Sequence, residues 1–404
     1  MAGKNSRRSF LVGSAAAAAA AAAGLSVGRE LAPDTAPEAA TTAPSVQPTT
    51  VEFHGAHQPG IADPTPTHAS FLSFDLAAET GRTQLTQTMQ RWTAVASALA
   101  SGDTSVDPSS VSSGSGPGMF TMTVGVGGGM LDRLGIARPE PLIDLPAFPG
   151  DRLDHDASYG DIFVQLCSND AIYLSGAVRA VRRTAGDALV PRWQLNGFRG
   201  VAASTSSTNG RNLMGQVDGT NNIAVSRGSS GGAVWIDDPS PEWMQGGSYV
   251  VLRRIRMLLS EWESADGVTR DRTIGRHTSS GAPLGARDES DPVDLAAVDT
   301  SGTLTTPDDA HIRLAAPRRG AGEEMLRRSY SYSNGQIAGG TDEDAGLIFV
   351  SYQRDPRTSF VPVQRRLAES DALNRFTEAT TSAIFAVLPG VVDDDDWYGR
   401  RLLG

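Results

Sequence analysis

Three side chains in the second half of the chain have types that could do chemistry together. Asp218 lies in "MGQVDGTNN", between Gly215 and Gly219, where glycines permit a tight irregular turn and a close backbone approach to something flat or bulky. His311 opens "HIRLAAPRRG" with Arg313 two positions on, and Arg327 is the first arginine of the pair in "MLRRSYSY". Taken alone, each has an ordinary reading: a surface Asp-Gly turn, a satisfied structural histidine, an ion-paired arginine. Together they fit one chemistry. A haem iron needs an axial nitrogen donor, which a histidine supplies. Peroxide cleavage on the opposite face needs a base to move a proton between the two oxygens and a cation to offset the developing charge. A carboxylate and an arginine meet that need, and Arg313 and Arg276 are candidate partners for haem propionates. His277 is a rival axial ligand.

Composition removes several other chemistries. The chain has 404 residues, enough for two domains or one large one. Cys167 is the only cysteine, so neither an intrachain disulfide nor a cysteine metal cluster can form. Lys4 is the only lysine, which excludes a Schiff base or a Walker-type phosphate loop from the rest of the chain. The net charge is −11, and removing residues 1–29, with Lys4, Arg7, Arg8, Arg29 and no acid, leaves −11 − 4 = −15. No basic stripe reverses that charge, so a nucleic-acid partner is not expected.

The N-terminus reads "SRRSFLVG" and then nine alanines, Ala15 to Ala23. Adjacent arginines before a weakly apolar stretch form a twin-arginine export signal, too short and too weakly apolar for a spanning helix. An Ala/Pro/Thr-rich linker follows, with too little large apolar surface to fold. The expected division is signal and linker in 1–45, one module in 51–210 and a second in 211–404. The expected location is extracytoplasmic, secreted or in the cell envelope.

The elements that must position the three side chains mix strands and helices without βαβ regularity, which points to an α+β fold with antiparallel sheet. Phe120–Val126, Asp161–Ser168, Gly246–Leu258 and Gly346–Gln353 read as strands. A helix starts near Gly129, and Ala171–Ala185 and "VPVQRRLA" read as helices. "DALNRFTEATTSAIFAVLP" also reads as helical, and 186–210 as loop-rich. The two halves repeat the theme without sequence identity. Cys167 falls in a strand and is expected to be buried.

Several stretches, in order, resemble the dye-decolorizing peroxidase family, in particular its exported deferrochelatase/peroxidase type. They are "FHGAHQPGI", "RNLMGQVDGTNN", "WMQGGSYVVLRRIRM", "GRHTSSGAPLG", "DAHIRLAAPR", "MLRRSYSY" and "GLIFVSYQRDP", and they span nearly the whole chain after the signal. The resemblance implies two ferredoxin-like modules with haem b in the C-terminal one. The family's GxxDG motif falls on Gly215, Asp218 and Gly219, which makes Asp218 the distal acid–base residue. His311 then matches the proximal ligand and Arg327 the distal arginine. Gly219 and Thr220 belong to the stretch expected to line the cofactor, and His54 and His57 are read as structural. Gln216 stands where the family usually has an aromatic residue, and Ala316-Pro317 where it commonly has Asn-Pro.

The implied activity is reduction of hydrogen peroxide with oxidation of dyes, phenols or other bulky donors. An aspartate base, with an ordinary pKa near ~4, suits acidic pH. Trp243, Tyr249, Tyr330 and Tyr332 lie in the matching stretches as candidate electron carriers, and each is equally ordinary as packing. The alternative is a haem-handling protein that releases iron from haem, with membrane partners in an iron-uptake system. Oligomerisation is left open.

Overall fold

In a computed structural model, residues 50–200, 209–228, 232–237, 241–340 and 342–404 are described. The expected export signal and linker, through residue 49, and residues 201–208 lie outside them. The first set of strands is β1 (His68–Leu76), β2 (Thr121–Val126), β3 (Ile162–Ser168) and β4 (Leu189–Phe198). Helices α1 (Arg82–Ser101), α2 (Gly128–Arg133) and α3 (Ala171–Ala185) connect them. The order across the sheet is β2-β3-β1-β4, all antiparallel. Two helices crossing one face of such a sheet give the ferredoxin-like arrangement that the resemblance implied.

The second set is β5 (Ser248–Met257), the two-residue β6 (Leu326–Arg327), β7 (Tyr330–Gln336), β8 (Glu343–Gln353) and β9 (Thr377–Val387). Between β5 and β6 run α4 (Leu259–Ser264), α5 (Gly267–Ile274) and α6 (His311–Ala315), and α7 (Phe360–Ser370) joins β8 to β9. The order β9-β5-β8-β7 repeats the first set, again antiparallel. The sets join at both edges. Gly125 and Val126 of β2 face Val387 and Ala386 of β9, and Phe198 of β4 faces Ser331 of β7. The strands therefore form a ring of eight, a closed barrel that leaves no long edge unpaired. β6 extends the β7 edge of β8, pairing Leu326 with Tyr352 and Arg327 with Ser351.

The barrel interior holds Phe71, Phe163, Cys167, Tyr330, Tyr352 and Phe385, all 1% exposed or less. Phe163 and Phe385 stack across it with ring centroids 5.0 Å apart. Outside, α1 and α3 bury Trp92, Leu99, Tyr173 and Val181 against the first sheet. Trp243 and Tyr249 are buried in the outer core, Tyr330 and Tyr332 in the barrel. All four pack in the core, none more than 8% exposed.

Two expectations are corrected. The segment after Asp371 is one short 3₁₀ turn, Ala372–Arg375, followed by the strand β9, not a helix. Its alanines favour helix, but its Thr, Ile, Phe and Val residues fit a strand buried between β5 and β2, and that pairing overrides propensity. Within 186–210, expected to be loop, β4 forms despite Pro191 and Gly197. Pro191 stands beside a register shift in the ladder with β1, between Ser73 and Phe74, where a missing N–H is tolerated.

Truncating Phe163 to alanine should remove stacking and leave a void in the barrel. Urea denaturation should show a loss of about 3–5 kcal/mol.

Candidate active site

His311 is the first residue of α6, with a half-buried side chain. Its Nδ1 meets Asp371 Oδ2 at 2.6 Å, while Asp371 Oδ1 accepts the Leu373 N–H at 2.8 Å. Asp371 is 6% exposed and caps the 3₁₀ turn before β9. Burial alone would lower the His311 pKa, but the charge and hydrogen bond of Asp371 outweigh it, and the net shift is upward. Arg327 and Asp218 also act on His311 through their charges, the first lowering and the second raising its pKa. Sixty positions separate His311 from Asp371, and no local pattern marks the carboxylate as its partner.

α6 is fastened from behind by a buried ion pair. Arg366 of α7 donates from Nη1 and Nη2 to the two Glu323 oxygens, at 2.7 and 2.8 Å. Its Nε and Nη2 also reach the Leu314 and Ala316 carbonyls at the end of α6. Burial pushes the Glu323 carboxyl up. The Arg366 hydrogen bonds, the Arg318 N–H and both arginine charges pull harder, so its pKa lies below the ordinary value.

Asp218 sits in a loop closed on itself by the Arg211–Val217 bridge, and its N–H donates to the Gly210 carbonyl at 3.1 Å. Gly215 and Gly219 have φ of 78° and 105°, values that favour glycine. Trp262 anchors the loop from below, its Nε1 donating to the Met214 carbonyl at 2.9 Å. Buried Gln216 donates to Thr278 Oγ1 at 2.7 Å, so the residue that departs from the family pattern ties this loop to the His277 segment.

Arg327 is held to the same loop. The Asn222 side chain accepts its N–H at 3.0 Å and donates to its carbonyl at 2.8 Å, like a short piece of strand. Arg327 Nη2 donates to the Asn221 carbonyl at 2.9 Å. Asp218, Gly219, Asn222 and Arg327 line one cleft of about 460 Å³, together with Arg199 and Leu347.

The remaining sequence candidates fall into place unequally. Arg276 is buried and lies within electrostatic reach of Arg327 and Glu289. Burial lowers its pKa, and Arg327 adds to that against the opposing pull of Glu289. Thr220 Oγ1 donates to Glu289 at 2.8 Å. Arg313 turns to the chain behind α6, its Nε and Nη2 donating to the carbonyls of Leu295, Thr306 and Pro307, so it fastens that loop. His277 has its own carboxylate, Asp271 Oδ2 at 3.1 Å from Nδ1, but its side chain is 42% exposed. His57 stacks on Trp235, with centroids 3.9 Å apart, and His54 approaches Asp394, in keeping with structural roles.

The site therefore offers one imidazole whose Nδ1 is fixed by a buried carboxylate and whose Nε2 has no hydrogen-bond partner among the described residues. That is the arrangement of a histidine prepared to ligate a metal, since the outer carboxylate sets the tautomer and raises basicity. The donor chemistry fits a ligand to haem iron.

Comparison with known proteins identifies the family. Family models described as Dyp-type peroxidase match residues 58–199 for the N-terminal part and 209–392 for the C-terminal part. The chain belongs to the Dyp-type peroxidase family. Among its Dyp-type relatives, the dye-decolorizing peroxidase of Thermobifida fusca is 42% identical over 347 residues, covering 82% of this chain and 80% of that one. The deferrochelatase of Escherichia coli is 33% identical over 371 residues, covering 87% and 86%. The X-ray generated oxyferrous complex of DtpA from Streptomyces lividans superposes with a TM-score of 0.83 at 41% identity, covering 88% and 98%. This Dyp-type chain is accordingly a peroxidase.

Replacing Glu323 by glutamine leaves Arg366 charged and without a carboxylate, and should cost about 3–5 kcal/mol of stability at neutral pH. Because the folded pKa of Glu323 is depressed, its contribution is present above the ordinary glutamate value and lost as pH falls through the folded one. Wild-type and variant denaturation midpoints should converge in acid.

Proposed function

We propose that His311 would hold haem b through its iron and that the protein reduces hydrogen peroxide with Asp218 and Arg327. The observation that carries this reading is the His311–Asp371 pair, with its free Nε2, set in the electrostatic reach of both Asp218 and Arg327. The His277 side chain is more exposed than that of His311. Haem, when bound, supplies the iron at which peroxide is activated.

The chain's own residues do the rest. Asp218 carries a proton from one peroxide oxygen to the other, and the Arg327 guanidinium offsets the charge that builds as the O–O bond breaks. Asn221 and Asn222 fix the Arg327 backbone and one guanidinium nitrogen, so the cation is oriented in advance. Asp371 keeps the imidazole oriented and basic. Arg276, beside Arg327, is the better placed of the two arginines for a propionate, and Gly219 and Thr220 bring backbone close to the cofactor. The reductant is a dye, phenol or other bulky donor. The twin-arginine signal supports export of the folded protein to the secreted or cell-envelope space.

A second reading, release of iron from haem in an uptake system, draws on the deferrochelatase relatives. It predicts free porphyrin without added peroxide, whereas the peroxidase reading predicts an intact haem spectrum.

Absorption spectra of the haem-loaded chain test the site. His311→Ala should lose the Soret band. Asp218→Asn should keep it and turn over about 10²–10⁴-fold more slowly. Retention of haem by His311→Ala would shift the ligand assignment to His277.

A further inference from the structure

The arginine pair splits. Arg327 faces the cleft, while Arg328 is 3% exposed and turned to the barrel interior. Only its Nη1 is satisfied, by the Asp63 carbonyl, and its Nε and Nη2 are buried without a hydrogen-bond partner. Among the described residues no carboxylate forms an ion pair with it. A buried cation without a counter-charge is expensive, and two idle guanidinium N–H groups add to the cost.

The groups around Arg328 do not supply the missing charge. Its field reaches Cys167, Tyr330 and Tyr352, all fully buried. Burial pushes the thiol and both phenols up, so all three stay neutral. Tyr330 donates to Cys167 Sγ at 3.5 Å and Tyr352 donates to Gln165 Oε1 at 2.9 Å. The buried Thr121 hydroxyl faces the same thiol and acts on it. A second cation, Arg199, acts on both Cys167 and Tyr330. Two cations, Arg328 and Arg199, therefore act on Cys167 and Tyr330, and both make the potential there more positive.

We propose that the barrel interior holds a small monatomic anion of the halide class on the Nε and Nη2 edge of Arg328. Parallel guanidinium N–H groups form a fork suited to one anion. The aromatic walls, Phe71, Phe163, Tyr330 and Tyr352, favour a weakly hydrated single charge over phosphate or sulfate, which lose more hydration on burial. The anion neutralises Arg328 inside the barrel, and the proposal does not rest on the haem reading.

The test uses the full chain. Crystals grown in sodium bromide, measured at the bromine edge, should give an anomalous peak within hydrogen-bond reach of Arg328 Nε and Nη2. In solution, replacing sodium chloride by sodium gluconate at fixed ionic strength should lower the thermal midpoint of the wild type, because a ligand of the native state stabilises it by mass action. The midpoint of Arg328→Met should not respond. Density beside Arg328 without anomalous signal means an ordered water and overturns the proposal, as does a wild-type midpoint indifferent to the exchange. If Arg328→Met does not fold, the bromide map on the wild type decides alone.

Discussion

One imidazole must be presented with one nitrogen bound and the other bare, and much of the C-terminal half is arranged around that demand. A histidine on a five-residue helix could rotate or tautomerise freely. Asp371 removes those freedoms, but only because the carboxylate is itself fixed. It caps the turn leading into β9, and β9 lies between β5 and β2 in the closed ring. The Ala372 N–H donates to the Asp309 carbonyl at 2.9 Å, stitching the two segments beside the pair. Arg366 and Glu323 brace the far end of α6. The barrel thus reaches the imidazole through a short series of hydrogen bonds, each buried enough that breaking it would leave an uncompensated group.

The opposite wall follows the same logic with weaker elements. Asp218 belongs to no regular element, so its position comes from loop chemistry. Two glycines take the positive φ values, Arg211 closes the base, and Trp262 and Gln216 tie the loop to its neighbours. Arg327 is referenced to that loop by Asn221 and Asn222 rather than to solvent. A guanidinium held this way loses little freedom when charge develops in front of it, which is what electrostatic preorganisation requires. Asp218 and Arg327 are placed by one loop, so they keep their spacing together.

Much of this was legible in the sequence, and the remainder was hidden for definite reasons. The strands β2, β3, β5 and β8 and the helix α3 announce themselves through β-branched runs or helical spacing. Asp218, His311 and Arg327 were singled out by residue type and by resemblance. β9 was hidden because its alanines and threonines read as helix until a partner strand is supplied, and β4 because Pro191 and Gly197 look like loop. Asp371, Glu323 and Arg366 were missed as site residues. Their partners are distant in sequence, and a carboxylate beside a helix end is too common to single out. Arg313, two positions from His311, looked like part of the site, but α6 turns it to the loop behind.

The arginine pair shows how a strand converts adjacency in sequence into separation in space. Leu326 points into the barrel and Arg327 to the cleft, as side chains on a strand must alternate. The ladder continues through the Arg328 N–H, which donates to the Val350 carbonyl at 2.8 Å, so Arg328 returns to the barrel side. Two identical residues thereby meet opposite surroundings. One faces a polar cleft beside a carboxylate, where its charge is available to chemistry. The other faces buried aromatic rings and a neutral thiol, where its charge has to be balanced. Because β6 and β7 share one edge of β8 on either side of this pair, a shift of register by one residue would exchange the two environments. The β8 pairing therefore fixes which arginine faces the cleft.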